Sequence, residues 1–144
     1  MPMLGSAPRV TTRRDRGPKG KGAALLTLPP NLRSVRAARR FVGERCREAG
    51  LSAERCHDAL LLSSELVTNA VLHGRSEVCV ELEERGPVVR ISVFDENSRH
   101  PARVVEDPDA LDGRGLALVA ALSESWGVED RPLGKAVWFE LVRS

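Results

Sequence analysis

Apolar residues recur along this chain with two different periods. Between residues 32 and 49, Leu32, Val35, Ala38, Val42, Cys46 and Ala49 fall three or four apart, the helical repeat. Asn31 stands before them as a residue able to cap the first turn, and Gly50 follows as a stop. A second helix opens at Ser52 and Glu54. Its inner stripe runs Cys56, Ala59, Leu60, Ser63, Leu66, Val67, Ala70 and Val71 before Gly74 ends it. Strands are predicted where the period falls to two: Val78, Val80 and Leu82, then Val89, Ile91 and Val93, and finally Val137, Phe139 and Leu141. An apolar run from Ala23 to Leu28, closed by Pro29 and Pro30, predicts a further strand at a sheet edge. A third helix is expected from about Gly115 to Ser123. The irregular stretch before it, 96–112, holds Pro101 and Pro108 and is long enough to be a functional loop.

The order β-α-α-β-β-loop-α-β puts this chain in the α+β class. It predicts a two-layer sandwich: a mixed, mostly antiparallel sheet with its helices on one face. No internal repeat interrupts it. At 144 residues the chain has the size of one domain with a sizeable core, read here as a domain over 23–144 preceded by a disordered basic tail over 1–22.

Composition narrows the class of function. Hydrophobic residues make up 42% and charged residues 29%, the balance of a soluble globular protein. No apolar run approaches the roughly 20 residues that cross a bilayer, and no apolar signal segment follows the N-terminal charges. A cytoplasmic protein with no membrane partner is expected. Cys46, Cys56 and Cys79 show neither a CxxC pair nor zinc spacing with His57, His73 or His100, so they are expected to be reduced packing residues. Six basic residues of the tail, Arg9 to Lys21, face Asp15 alone. Such an arm can hold phosphates, but it carries no aromatic residue to stack on bases, and direct nucleic-acid binding is not expected.

Three local patterns could carry chemistry. In the second helix, Glu65 and Asn69 lie four apart and so share a face one turn apart. Such a pair is either a solvated helix face or a site in which an amide oxygen meets Mg2+ while a carboxylate orients a hydroxyl. Asp95 closes the strand Val89–Val93 with Phe94 between. It is either a turn-forming aspartate or an acceptor for an exocyclic amine such as adenine N6. Gly113 and Gly115 enter the third helix, as a flexible lead-in or as glycines whose backbone N–H groups approach phosphate at the positive helix end.

Taken together, SSELVTNAVLHG at 63–74, Asp95, GRGLALV at 113–119 and WGVEDRPLGKAVWFEL at 126–141 resemble the anti-sigma-factor serine/threonine kinases, members of the GHKL or Bergerat-fold ATPases. The resemblance spans about residues 25–142. It implies an ATP- and Mg2+-dependent protein in which Asn69 holds the metal and Glu65 is the catalytic base toward a partner's serine. It further implies that Asn69, His73, Asp95, Gly113, Arg114, Gly115 and Leu116 bind the nucleotide and that 96–112 forms a lid. The implied partners are a sigma factor, an anti-anti-sigma protein of the STAS class and a second copy in a homodimer.

Two positions depart from the family pattern. Asn97 replaces the glycine of Asp-x-Gly, and Ala136 stands where relatives carry a threonine that could support the adenine contact. These departures define the alternative: a non-catalytic, nucleotide-independent module of the same fold that sequesters a sigma factor or another regulatory partner.

Overall fold

The computed structural model describes residues 9–14, 22–73, 76–95, 113–131 and 134–143. Along the chain come β1 (Arg9–Arg14), β2 (Gly22–Leu28), α1 (Arg33–Glu48), α2 (Ala53–His73), β3 (Val78–Arg85), β4 (Val88–Asp95), α3 (Gly113–Leu122), β5 (Ser125–Arg131) and β6 (Gly134–Val142). The strands form one sheet in the order β1-β2-β3-β4-β6-β5. Each neighbouring pair is antiparallel, so the described sheet contains no parallel pairing of the expected mixed kind. Among the described residues no helix is long and apolar enough to cross a membrane.

Alternation decides what each face carries. Leu26, Val80, Val93 and Val137 occupy linked register positions on one face, as do Ala24, Leu82, Ile91 and Phe139. All are buried and pack with Val42, Leu62, Leu66 and Val67 of α1 and α2 in one core. Phe139, Leu28, Leu62 and Ile91 are among the largest side chains fully removed from water. Truncating any of them to alanine costs about 2–5 kcal/mol through lost transfer energy and the cavity left behind.

The helix boundaries follow local chemistry. Asn31 accepts a hydrogen bond at Oδ1 from the Arg33 amide (3.0 Å), and the Ser34 hydroxyl donates to the Pro29 carbonyl (2.6 Å). The cap position itself falls on Leu32, so Asn31 acts one residue outside its predicted place, and Leu32 is exposed rather than in the inner stripe. At the other end Gly50, at φ +87°, lets its own amide reach the Arg47 carbonyl and that of Leu51 reach Cys46. This is the double hydrogen bond of a Schellman stop. Ser52 then caps α2, its Oγ accepting from the Arg55 amide at 3.2 Å.

Two strands correct the sequence reading. Residues 9–14, expected within a disordered tail, pair with β2 from Arg9 opposite Thr27 to Arg14 opposite Gly22. β2 is therefore interior, not an edge. Its free N–H and C=O groups offer a template, and the β-branched Val10, Thr11 and Thr12 suit an extended backbone. Residues 1–8 and 15–21 of that tail lie outside the described residues. The second is β5, which was not anticipated because only Trp126 and Val128 alternate in it. Gly127 admits the ring of Trp138: a Cβ there would sit 2.8 Å from it. Arg90 stacks on the same ring at 3.8 Å from its centroid, and β5 thus completes the sheet beyond β6.

Candidate functional site

Where α2 starts determines where its polar face ends. The Ser52 amide donates to the Arg143 carbonyl at 2.8 Å, fixing the helix start beside the far end of β6. At about 1.5 Å per residue, Asn69 lies some 25 Å along, near the opposite end of the sheet. There β4 ends at Asp95, β3 begins at Val78 directly across from it, and β6 begins at Gly134. α3 is placed by Arg55, which donates to the Leu122 carbonyl (3.5 Å) and pairs with Glu124 (2.9 Å). The last turn of α3 is thereby tied to the first turn of α2, with which it packs. From there α3 extends about 14 Å back to its opening turn, Gly113–Leu116.

Asn69, Asp95 and Gly134 make the core of this end. Asn69 is only 7% exposed, yet its Nδ2 is buried with no hydrogen-bond partner among the described residues. The Ser76 Oγ, two residues before the Val78 that faces Asp95, is buried and unpartnered in the same way. A buried polar group left unpaired costs about 1–3 kcal/mol, and folds rarely carry that cost without a use. Asp95 lies on the same sheet face as Val93, toward the helices, and is part-buried. Gly134 presses against it: a Cβ at 134 would lie 2.7 Å from the Asp95 carbonyl oxygen and 3.5 Å from its Oδ1. Only glycine allows that approach.

The chemistry of these groups fits the ligand set implied by the sequence. Among the described residues the Asn69 Nδ2 has no hydrogen-bond partner, and the oxygen of the same amide is the kind of hard donor that Mg2+ takes alongside phosphate oxygens. Among the described residues no group of three or more His, Cys, Asp and Glu could hold a metal by itself. Glu65 is half-buried one turn before Asn69 on the same helix. His73 closes α2 one turn beyond it. Gly113, Arg114, Gly115 and Leu116 form the first turn of α3. The loop 96–112, with Asn97, and Gly74 lie outside the described residues.

Ala136 is where the structure overturns the sequence reading. It pairs with Phe94 and Glu129, and alternation points it to the sheet face opposite Asp95. A hydroxyl there would not support a base beside Asp95, so Ala136 is no defect of the site. The residue in phase with Val137 and Phe139 is Lys135, which bonds through Nζ to Asp130 directly across on β5. Sequence reasoning missed both Lys135 and the approach of Gly134 to Asp95. The period-two count through Val137, extended back by two, would have found the first.

Cys46 and Cys56 lie on α1 and α2, and Cys79 lies on β3 opposite Phe94. All three are free and buried. Burial, with Cys56 beside it as a hydrogen-bond partner, pushes the Cys46 thiol up to about 12.

The comparison with known families agrees with this geometry. The histidine kinase-like ATPase domain family matches residues 28–141, most of the chain and every described element from the end of β2 to β6. No curated protein matches the chain. ATP binding is what that family match implies, and Asn69, the strand-ending Asp95 and the helix start at Gly113 lie within it. The chain belongs to the histidine kinase-like ATPase domain family.

Proposed function

We propose that this chain is an ATP-binding anti-sigma regulatory factor with serine-protein kinase activity, which binds a sigma factor and phosphorylates a STAS-class anti-anti-sigma protein. The observation that carries the reading is the buried Asn69 amide, whose Nδ2 has no partner among the described residues, one turn from Glu65 on α2. Asp95 accepts the hydrogen bond of the adenine amine and sets the base. The first turn of α3, with Gly113 and Gly115, offers backbone N–H groups to the phosphates. Asn69 would hold Mg2+, which when bound draws charge from the phosphate oxygens.

Glu65 would act on the partner's serine as general base. As the seryl oxygen bonds to the γ-phosphorus, the bond from that phosphorus to the bridging oxygen of ADP breaks, and the seryl proton passes to the Glu65 carboxylate. Glu65→Gln keeps the shape and the helix but removes the proton acceptor. Phosphotransfer from radiolabelled ATP to STAS proteins of the same organism should fall about 100-fold, with ATP binding by calorimetry retained. Transfer at the wild-type rate would take the catalytic role from Glu65. A wild-type protein that captures a sigma factor yet neither binds ATP nor phosphorylates any STAS protein would establish the non-catalytic module instead.

A further inference from the structure

Lys135 has no role in the reading above, and its position gives it one. The β6 residues Val137, Phe139 and Leu141 face the core, and Lys135 is in phase with them. On one side it is directly opposite Asp130 of β5, to which its ammonium is bonded. On the other, one register step beyond the pair Phe94–Ala136 leads to Asp95 of β4. Lys135 thus stands between two carboxylates on the sheet face and at the sheet end that hold the candidate site. The preceding residue, Gly134, is the one at which a Cβ would lie 2.7 Å from the Asp95 carbonyl oxygen.

The partner seen on Lys135 is one it can leave. The Asp130 side chain is 85% exposed. Ion pairs in that setting contribute little to stability, because water solvates both groups when they separate. The lysine stem has the length and the rotatable bonds to turn its ammonium from β5 toward β4.

Base chemistry supplies the reason to turn. The edge of adenine presents a donor, the N6 amine, next to an acceptor, ring N1. A carboxylate matches the first and an ammonium the second. Guanine presents an acceptor, O6, and a donor, N1–H, at the same two places, so both contacts would oppose it. We infer that Lys135 is a specificity residue of the nucleotide site, donating to purine N1 beside Asp95 and so selecting adenine over guanine. This rests on Asp95 being the adenine contact.

Calorimetry in the presence of Mg2+ with ATP, GTP and 1-deaza-ATP, in which N1 is replaced by C–H, tests it on the full chain. Wild type should bind 1-deaza-ATP about tenfold more weakly than ATP, and GTP about 100-fold more weakly, the discrimination expected of one and two mismatched polar contacts. Lys135→Met keeps the stem and removes the donor. It should lose about tenfold for ATP and nothing for 1-deaza-ATP, so that the two bind alike. Asp130→Asn, which frees the ammonium, should bind ATP as well as wild type or a few-fold better. Equal losses for both nucleotides in Lys135→Met, or no loss, would overturn the N1 contact, as would weakened ATP binding in Asp130→Asn. If ATP binding responds to Asp95→Asn but not to Lys135→Met, this inference alone falls. If wild type binds none of the three nucleotides, the nucleotide reading of the site falls with it. A melting curve for each variant separates these results from unfolding.

Discussion

The two ends of the sheet treat their polar groups in opposite ways. At the end where β6 finishes, Arg143 donates to the carbonyls of Ala49 and Gly86 and pairs with Glu84, tying α1, the β3–β4 turn and β3 together. The Ser52 amide bonds to the Arg143 carbonyl, and Arg55 joins Asp58, Glu124 and the α3 terminus. At the end where β6 begins, the Asn69 amide nitrogen and the Ser76 hydroxyl are buried without partners among the described residues, and Lys135 is held by an exposed aspartate. The first end spends its polar groups on holding the fold, whereas the second keeps them available. Unpaired polar groups are not confined to the second end, since the Arg45 Nε in the last turn of α1 and the Ser63 hydroxyl in the middle of α2 are also buried without partners among the described residues. At the second end Asp95 and Gly134 also come together.

Single substitutions can break that contrast. The largest effect is expected from Asp95→Asn, which puts an amide donor against the adenine amine. ATP affinity by calorimetry should fall about 100-fold or more, close to 3 kcal/mol, while the melting temperature moves little. Unchanged affinity would remove Asp95 from the site. Arg143→Ala is its mirror image. Losing the Ala49, Gly86 and Glu84 contacts should lower stability in urea unfolding by about 2 kcal/mol and leave ATP affinity within twofold. A variant that keeps its stability but loses ATP would mean that the two ends are not separable.

Asn69→Ala tests both properties at one residue. Removing a buried amide whose Nδ2 has no partner among the described residues should cost stability less than about 1 kcal/mol, or raise it. The Mg2+-dependent part of ATP affinity should fall about tenfold, because one oxygen ligand is gone. A large loss of stability would mean the amide is bonded within the fold.

A separate effect lies at the closed end and is read from pH. The Cys46 thiol titrates near 9.0 when unperturbed and is pushed up to about 12 in the fold, first by burial and then by Cys56. Its contribution is therefore intact below pH 9.0 and is lost progressively as pH rises toward 12, because the unfolded chain releases a proton that the folded chain keeps. The loss approaches about 1.4 kcal/mol per pH unit in that window. Cys46→Ala should flatten this part of the stability curve relative to wild type, and identical slopes would show that the thiol is not sequestered.

The same contrast explains which features were legible in advance. α1, α2, β3, β4 and β6 were readable because each buries one continuous stripe, and burial enforces the period. β1 and β5 were not, because edge strands have only one hydrogen-bonded neighbour and, as the exposure of Val10, Trp126 and Val128 illustrates, need little apolar alternation of their own. Asn69 and Glu65 could be paired from their spacing, since four residues make one turn wherever the helix lies. Ala136 was assigned to the site by its place in a motif. Alternation, set by Val137 and Phe139, puts it on the other face and Lys135 in its stead.

By itself the sequence determined the periods, the caps and stops at Ser52 and Gly50, and the order of elements, since these depend on neighbours along the chain. Only the tertiary structure decided that the far end of α2, the end of β4 and the start of β6 meet. That meeting depends on the Ser52–Arg143 and Arg55–Glu124 links between residues 91 and 69 apart. It also decided that the Asn69 Nδ2 stays buried without a partner among the described residues, because a side chain's want of a partner depends on every element around it rather than on its own spacing.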